Sequence, residues 1–344
     1  MEQDVWQEIE QLYQKFQKLG INEAVDYDKY YLYSLITHST AIEGSTLTEI
    51  DTQLLFDEGV TAKGKPLIHH LMNEDLRKAY ELAKEEAQRN TLITPVFLQG
   101  LNAALMRTTG SVHSVMGGSF DSSKGEYRLC GVTAGVGGRS YMNYLKVPVK
   151  VEEFCAILQE KQNTAGTLRE QYELSFNAHL NLVTIHPWVD GNGRTARLLM
   201  NYIQFCYHLF PAKIFKEDRE EYILSLRQSQ EEESNQPFLN FMVRQLKKSL
   251  LLEVRAYNCD MQDDLISNMD VNNNAWYFTG EIDYKKIPLI QKCKNIIVKC
   301  SVTTNFEVDN IISYLHNICS SGEMKTLDLR EFYLPSGIYS IGYC

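Results

Sequence analysis

Over roughly the first 255 residues, apolar positions recur at the spacing of amphipathic helices. Trp6, Ile9, Leu12, Tyr13 and Phe16 share one helical face, and Leu67, Leu71, Leu76, Ala79 and Leu82 share another. Thr94-Pro95 predicts a helix start, because a proline in the first turn lacks only an N–H that has no helical partner there. Phe97, Leu98, Leu101, Ala104 and Leu105 carry that helix forward as an apolar stripe. Helical texture resumes over residues 149–254.

Residues 108–146 interrupt this pattern. Glycines gather at Gly117, Gly118, Gly131, Gly135, Gly137 and Gly138, with short β-prone pieces around them. Residues 129–133 and 140–145 predict a hairpin that turns through 135–138. A phosphate-cradling loop is the competing reading, but the Gly-Lys-Ser/Thr ending of such a loop is missing. After a polar stretch at 260–274, a strand-like run at 295–302 and a helical one near 308–318 predict a small α+β appendage. The chain has no internal repeat and no low-complexity tract.

Composition narrows the class. The 344 residues suffice for one large domain or two ordinary ones with an ample core. A hydrophobic share of 44% and a charged share of 23% belong to a globular protein in water. The net charge of -10 argues against a general affinity for nucleic acid. The acidic start, Met1 to Trp6, offers neither the basic nor the apolar region of a secretory leader. No run approaches the roughly 18 to 20 apolar residues that cross a bilayer, so no membrane partner is expected. The eight cysteines are scattered without C-x-x-C spacing, which points to free thiols in a reducing cytoplasm and to no zinc site.

The densest chemistry lies in Ile185-His186-Pro187-Trp188-Val189-Asp190-Gly191-Asn192-Gly193-Arg194-Thr195-Ala196-Arg197. Phe176, Leu180 and Val183 before it, and Leu198, Leu199, Tyr202, Ile203 and Phe205 after it, suit two buried helices. The segment therefore reads as helix–loop–helix. Backbone N–H groups at Gly191, Asn192 and Gly193 fall at the second helix's N-terminus, where geometry and dipole favour an anion. Arg194 and Arg197 occupy neighbouring positions on one face, and guanidinium forks match phosphate oxygens. Asp190 is a hard oxygen donor of the kind Mg²⁺ prefers. His186 is the one group here able to take a proton near neutral pH.

In this order the residues resemble the Fic/Doc motif, His-Pro-Phe-x-Asp/Glu-Gly-Asn-Gly-Arg-x-x-Arg, departing only at Trp188. The resemblance covers residues 30–250. It implies a mainly α fold, a Fic-type helical bundle with a β-hairpin flap, to which the α+β appendage is added. It divides the chain into an N-terminal helical region at 1–92, a catalytic core at 93–255 and the appendage at 256–344.

The implied activity is transfer of AMP from ATP, with Mg²⁺, to a Ser, Thr or Tyr hydroxyl of another protein or of itself. His186 is then the base and Asp190 the metal ligand. Gly191, Asn192, Gly193, Arg194, Thr195, Ala196 and Arg197 belong to the nucleotide site. Tyr222, Ile223 and Gln230 fall where the family lines its adenine pocket. A flap at about 125–146, with Ala134, Gly135, Val136 and Gly137, would pair with an extended target segment.

Upstream, Ser39-Thr40-Ala41-Ile42-Glu43-Gly44 resembles the family's inhibitory pattern, Ser/Thr-x-x-x-Glu-Gly/Asn, on a helix at about 28–44. The resemblance implies that Glu43 pairs with Arg197 where a γ-phosphate would sit, and that Ser39 bonds the anion hole. Two other functions fit the same residues: removal of AMP from a modified protein, and a regulator acting through its C-terminal domain. The tail has no convincing recognition helix, and protein interaction or homo-oligomerisation suits it better.

Overall fold

The computed structural model describes residues 2–24, 26–134, 138 and 140–257, together with strand segments at 269–270, 275–279, 295–299 and 326–328. The chain divides into two compact units, Met1–Leu250 and Leu251–Cys344.

The first unit is helical. Its elements are α1 (Glu2–Lys18), α2 (Tyr27–Ile42), α3 (Glu49–Glu58), α4 (Leu67–Gln88), α5 (Pro95–Leu105), β1 (Val112–Val115), β2 (Gly118–Asp121), α6 (Val147–Gln162), α7 (Leu168–Ile185), α8 (Asn192–Cys206) and α9 (Arg219–Glu231). Helix α10, Gln236–Tyr257, runs past its end. The mainly α class read from the sequence holds, and a two-stranded antiparallel sheet accompanies it.

Local chemistry sets the helix starts. Thr94 Oγ1 accepts from the Phe97 N–H, and Pro95 opens α5 as expected. Thr167 and Glu170 form a reciprocal capping box at the start of α7. The core centres on α7 and α8. Leu198, Leu199, Tyr202 and Ile203 of α8 are fully buried, as are Tyr172, Phe176 and Leu182 of α7. A helix surrounded on all sides has nowhere to move, so the loop joining α7 to α8 stands on a fixed frame. Helix α4 ties in by a buried bond from the Tyr80 hydroxyl to Asn201 Oδ1, 2.6 Å.

One expectation about strands needs correction, and one hairpin is added. Segments 129–133 and 140–145 meet in one antiparallel bridge, Thr133 to Ser140, and residues 144–146 form a 3₁₀ turn. The turn residues 135–137 lie outside the described residues. The regular hairpin is β1–β2, which the sequence reading did not assign; Val115 pairs with Gly118 around the two-residue turn Met116-Gly117.

In the second unit the strands β3 (Met269–Asp270), β4 (Ala275–Thr279), β5 (Asn295–Lys299) and β6 (Thr326–Asp328) form one sheet in that order. The first pairing is antiparallel and the other two are parallel. Strand β5 falls in the expected run at 295–302, and β3 falls in the polar stretch. The helical run near 308–318 lies outside the described residues. No helix among the described residues is long and apolar enough to cross a membrane.

Candidate active site

His186 ends α7 in the left-handed region, at φ 53°. Its Nδ1 lies 3.2 Å from the Val183 carbonyl oxygen. A carbonyl only accepts, so Nδ1 carries the proton and the Nε2 lone pair is the acceptor. One ring face lies against Tyr141, with centroids 3.6 Å apart and planes 16° apart. Burial is the main cause that pulls the His186 pKa down to about 4; the Arg128 charge adds to it, while the Val183 bond, Asp190 and Glu43 oppose it. The imidazole is therefore neutral near pH 7.

Arg128, a residue the sequence reading passed over, braces this loop. Fully buried, it donates from Nε to the His186 carbonyl at 2.8 Å, from Nη1 to Cys130 O at 2.8 Å and from Nη2 to Met142 O at 2.7 Å. Its backbone N–H donates to Pro187 O. Trp188 is also fully buried, and its indole N–H donates to Gly125 O at 2.9 Å. That bond is open to tryptophan and closed to phenylalanine. At Gly125 a Cβ would lie 2.1 Å from Gln99 O, so only glycine admits this packing. The Asn192 side chain closes the loop, accepting from Trp188 N and donating to Trp188 O.

The start of α8 carries the anion chemistry. Gly191 sits at φ 79°, where a Cβ would meet Asn102, Leu105 and Met106 within about 3 Å. Its own N–H is bonded to Asp190 Oδ1 at 2.6 Å. The open first-turn N–H groups of the helix begin with Asn192 and Gly193. The Arg194 residue is only 3% exposed; its Nη2 lies 3.5 Å from Asp190 Oδ2 and from Met106 Sδ, while Nε and Nη1 have no protein partner. Buried donors left this way call for a ligand. Thr195 and Ala196 are fully buried, and Thr195 Oγ1 accepts from Asn102 Nδ2.

Arg197, equally buried, has a partner on each of its three nitrogens by contrast. Its Nε donates to Ser39 Oγ at 2.8 Å, and Nη2 donates to Ser39 O at 2.9 Å and Glu43 Oε1 at 2.7 Å. Nη1 donates to the Tyr222 hydroxyl at 3.3 Å, which in turn shares a hydrogen bond with His179 Nε2, 3.1 Å away. Glu43 caps the end of α2, and its Oε1 lies 2.6 Å from where a Cβ on Gly193 would stand. Burial alone would raise its pKa, but the charge and hydrogen bond of Arg197 hold it below the usual carboxylate value. The expectation for Ser39 is corrected: its partner is Arg197, because its hydroxyl and carbonyl both face the guanidinium.

A cleft of about 840 Å³ opens beside Tyr141 and is lined also by Ala134, Asn181, Thr184 and Gln230. Gln230 lines this cleft. Tyr222 instead sits behind Arg197, and Ile223 is exposed without a role in the cleft. Of the flap residues, Ala134 reaches the cleft, and 135–137 lie outside the described residues. His179, Arg128 and Tyr141 were missed; only their tertiary neighbours mark them.

Among the described residues no cluster of three or more acidic, histidine or cysteine side chains can hold a metal. Asp190 by itself fits Mg²⁺ brought with a nucleotide. Its side chain is 67% exposed, and Oδ2 has only the long 3.5 Å contact to Arg194. Magnesium characteristically takes one or two carboxylates, phosphate oxygens and waters.

The Fic/DOC family model matches residues 92–204. The chain is 28% identical over 230 residues to protein adenylyltransferase Fic of Drosophila willistoni, covering 64% of this chain and 41% of that protein. It is equally similar to the protein of that name from Nematostella vectensis, over 62% of this chain and 47% of the relative. The chain thus spans less than half the length of these curated relatives. Among solved structures, a Fic-domain signaling protein from Bacteroides thetaiotaomicron superposes with a TM-score of 0.63 at 25% identity, over 73% of this chain and 96% of that one. Fic-1 from C. elegans shares the fold, with a TM-score of 0.60 at 19% identity over 74% of this chain and 73% of that one.

Proposed function

We propose that this chain, whose residues 92–204 match the Fic/DOC family model, transfers AMP from ATP to a Ser, Thr or Tyr hydroxyl of a protein and is restrained by its own Glu43. The observation that carries this reading is the pair of unpartnered Arg194 donors beside Asp190, on the loop that also holds the neutral His186.

The target oxygen attacks the α-phosphorus while its proton passes to His186 Nε2. The new O–P bond forms as the bond to the bridging oxygen breaks, and pyrophosphate leaves. Arg194 and the first-turn N–H groups of α8 hold phosphate oxygens and stabilise the charge that builds on them. Asp190, with phosphate oxygens, would hold Mg²⁺, which neutralises phosphate charge when bound. The cleft at Gln230 and Thr184 takes the base. Glu43, bonded to Arg197 above Gly193, keeps the terminal phosphate from its partner, so the α-phosphorus is poorly aligned for attack.

The test is to incubate the Glu43→Gly protein with ATP, Mg²⁺ and cell lysate and to identify modified peptides by mass. Absence of any AMP adduct would end the reading. A second reading, removal of AMP, draws on the Glu43 carboxylate beside Gly193, a fixed acceptor able to orient a water. Supplying an AMP-modified protein separates the two: hydrolysis by the wild type and none by Glu43→Gly would favour it. Residues 256–344 are assigned to protein interaction or self-association.

A further inference from the structure

We propose that Tyr141 is the positioning residue for the His186 base, fixing the plane of the imidazole so that Nε2 faces the incoming hydroxyl. The proposal rests on the adenylyl-transfer reading of the site. Two constraints define the plane of a ring, and both are present. The edge is held by the Nδ1–H bond to Val183 O at 3.2 Å. The face is held by the Tyr141 ring at 3.6 Å and 16°. A parallel stack occupies only a face, so the in-plane lone pair on Nε2 stays free for a proton. Remove the stack and rotation about the side-chain bonds is limited at one edge alone.

The main chain that carries Tyr141 is anchored on both sides of the residue. Its N–H donates to Val132 O at 3.0 Å, and the next residue's carbonyl, Met142 O, accepts from Arg128 Nη2 at 2.7 Å. The same arginine holds the His186 carbonyl, so the backbones bearing the two rings are tied to one buried guanidinium. Ser140, one residue earlier, makes the bridge to Thr133 in the flap. The strand arm offered to a target and the ring that aims the base are therefore consecutive along the chain. Tyr141 also lines the cleft with Gln230 and Thr184, which places it between the base and the nucleotide side. Arg128, Asp190 and Glu43 are the charged groups that act on His186.

The test uses the full chain with ring-labelled histidine, the His186 resonance being identified by its loss in His186→Ala. That resonance is expected upfield, shifted by the Tyr141 ring current; it moves toward the free-histidine position in Tyr141→Ala and stays in Tyr141→Phe. In the Glu43→Gly background, Tyr141→Ala lowers kcat about ten- to a hundredfold by loosening the base. KM for ATP changes less than kcat does, because Tyr141 also lines the cleft, and Tyr141→Phe restores the rate. An unmoved resonance in Tyr141→Ala, a changed KM at constant kcat, or a phenylalanine variant as slow as the alanine one each overturns the proposal. If the Glu43→Gly parent transfers no AMP, the functional reading falls and takes this role with it, while the resonance still reports whether the rings are stacked.

Discussion

Two arginines stand three residues apart at the start of α8, on one side of the helix, and both are 3% exposed. Their surroundings are opposite. Arg194 keeps two buried donors without a protein partner, whereas all three nitrogens of Arg197 are bonded within the chain. Burying a charged donor without a partner is costly. Arg194 is therefore a standing demand for an anion, and Arg197 is one that the chain meets for itself through α2. Residue type and burial are the same at both positions. What separates the open arginine from the occupied one is who supplies the acceptor.

The base lies outside this pair and sets the scale for testing it. His186→Ala is expected to lower AMP transfer by about a hundred- to ten-thousand-fold, with ATP affinity by calorimetry nearly unchanged because both arginines remain. A rate close to wild type would remove His186 from the chemistry. The pH dependence has a definite sign. With a folded pKa of about 4, lowered chiefly by burial, the base is neutral above that value. Transfer should rise through pH 4 and be flat near neutrality, not titrate near the ordinary histidine value. The unfolded chain binds this proton below about pH 6.5, so His186 also makes the fold less stable as pH falls from there toward 4.

Removing the open member of the pair should weaken nucleotide binding. Arg194→Ala deletes charge-assisted bonds worth about 1.5 to 3 kcal/mol, or about ten- to a hundredfold in the dissociation constant for ATP. Asp190→Ala should instead flatten the response to Mg²⁺, and chelation of the metal should make the wild type resemble it. Calorimetry of ATP with and without Mg²⁺ checks both. Equal metal dependence in Asp190→Ala and wild type would discard the ligand role, and unaltered ATP affinity in Arg194→Ala would remove the asymmetry between the arginines.

Opening the occupied member should raise activity. Glu43 keeps 36% of its side-chain surface exposed, so its bond to Arg197 is discounted for solvent screening, and Glu43→Gly is expected to speed transfer on the order of tenfold. Arg197→Ala should not do the same, because it frees Glu43 and deletes the phosphate's partner together. The double variant should follow Arg197→Ala alone. Equal rates from wild type and Glu43→Gly with labelled ATP would reduce the contact to an ordinary helix-end pairing.

How far each part could be read from the sequence follows from where its partners lie. The loop from His186 to Arg197 was legible because base, acid, glycines and arginines fall within twelve consecutive residues. Glu43 was legible through a short pattern joined to that loop. Arg128 was not: the carbonyls it holds belong to residues 130, 142 and 186, and no spacing connects them. The same arginine helps explain why the expected ladder between 129–133 and 140–145 shrinks to a bridge, since its guanidinium takes the Cys130 and Met142 carbonyls. The β1–β2 hairpin escaped notice because Val112-His113-Ser114-Val115 shows no apolar–polar alternation in its residues, although exposed and half-buried positions alternate along the strand. Tyr222 was expected at the base, but its hydroxyl is spent between Arg197 and His179.

The smallest effect should come from Ser39, and it bears on whether the occupancy of Arg197 is graded or all-or-none. Ser39→Ala removes the acceptor 2.8 Å from Arg197 Nε but leaves the Ser39 carbonyl and Glu43 in place on Nη2. One such bond is worth about 0.5 to 1.5 kcal/mol, and Nε is left buried without a partner. If each acceptor holds its share of the guanidinium, Ser39→Ala should raise transfer about two- to fourfold, less than Glu43→Gly, and lower Tm slightly. Activation equal to that of Glu43→Gly, with a large drop in Tm, would mean that α2 had left the site as a unit. No activation at all would leave the restraint to Glu43 alone, and the occupancy of Arg197 would then be packing rather than control.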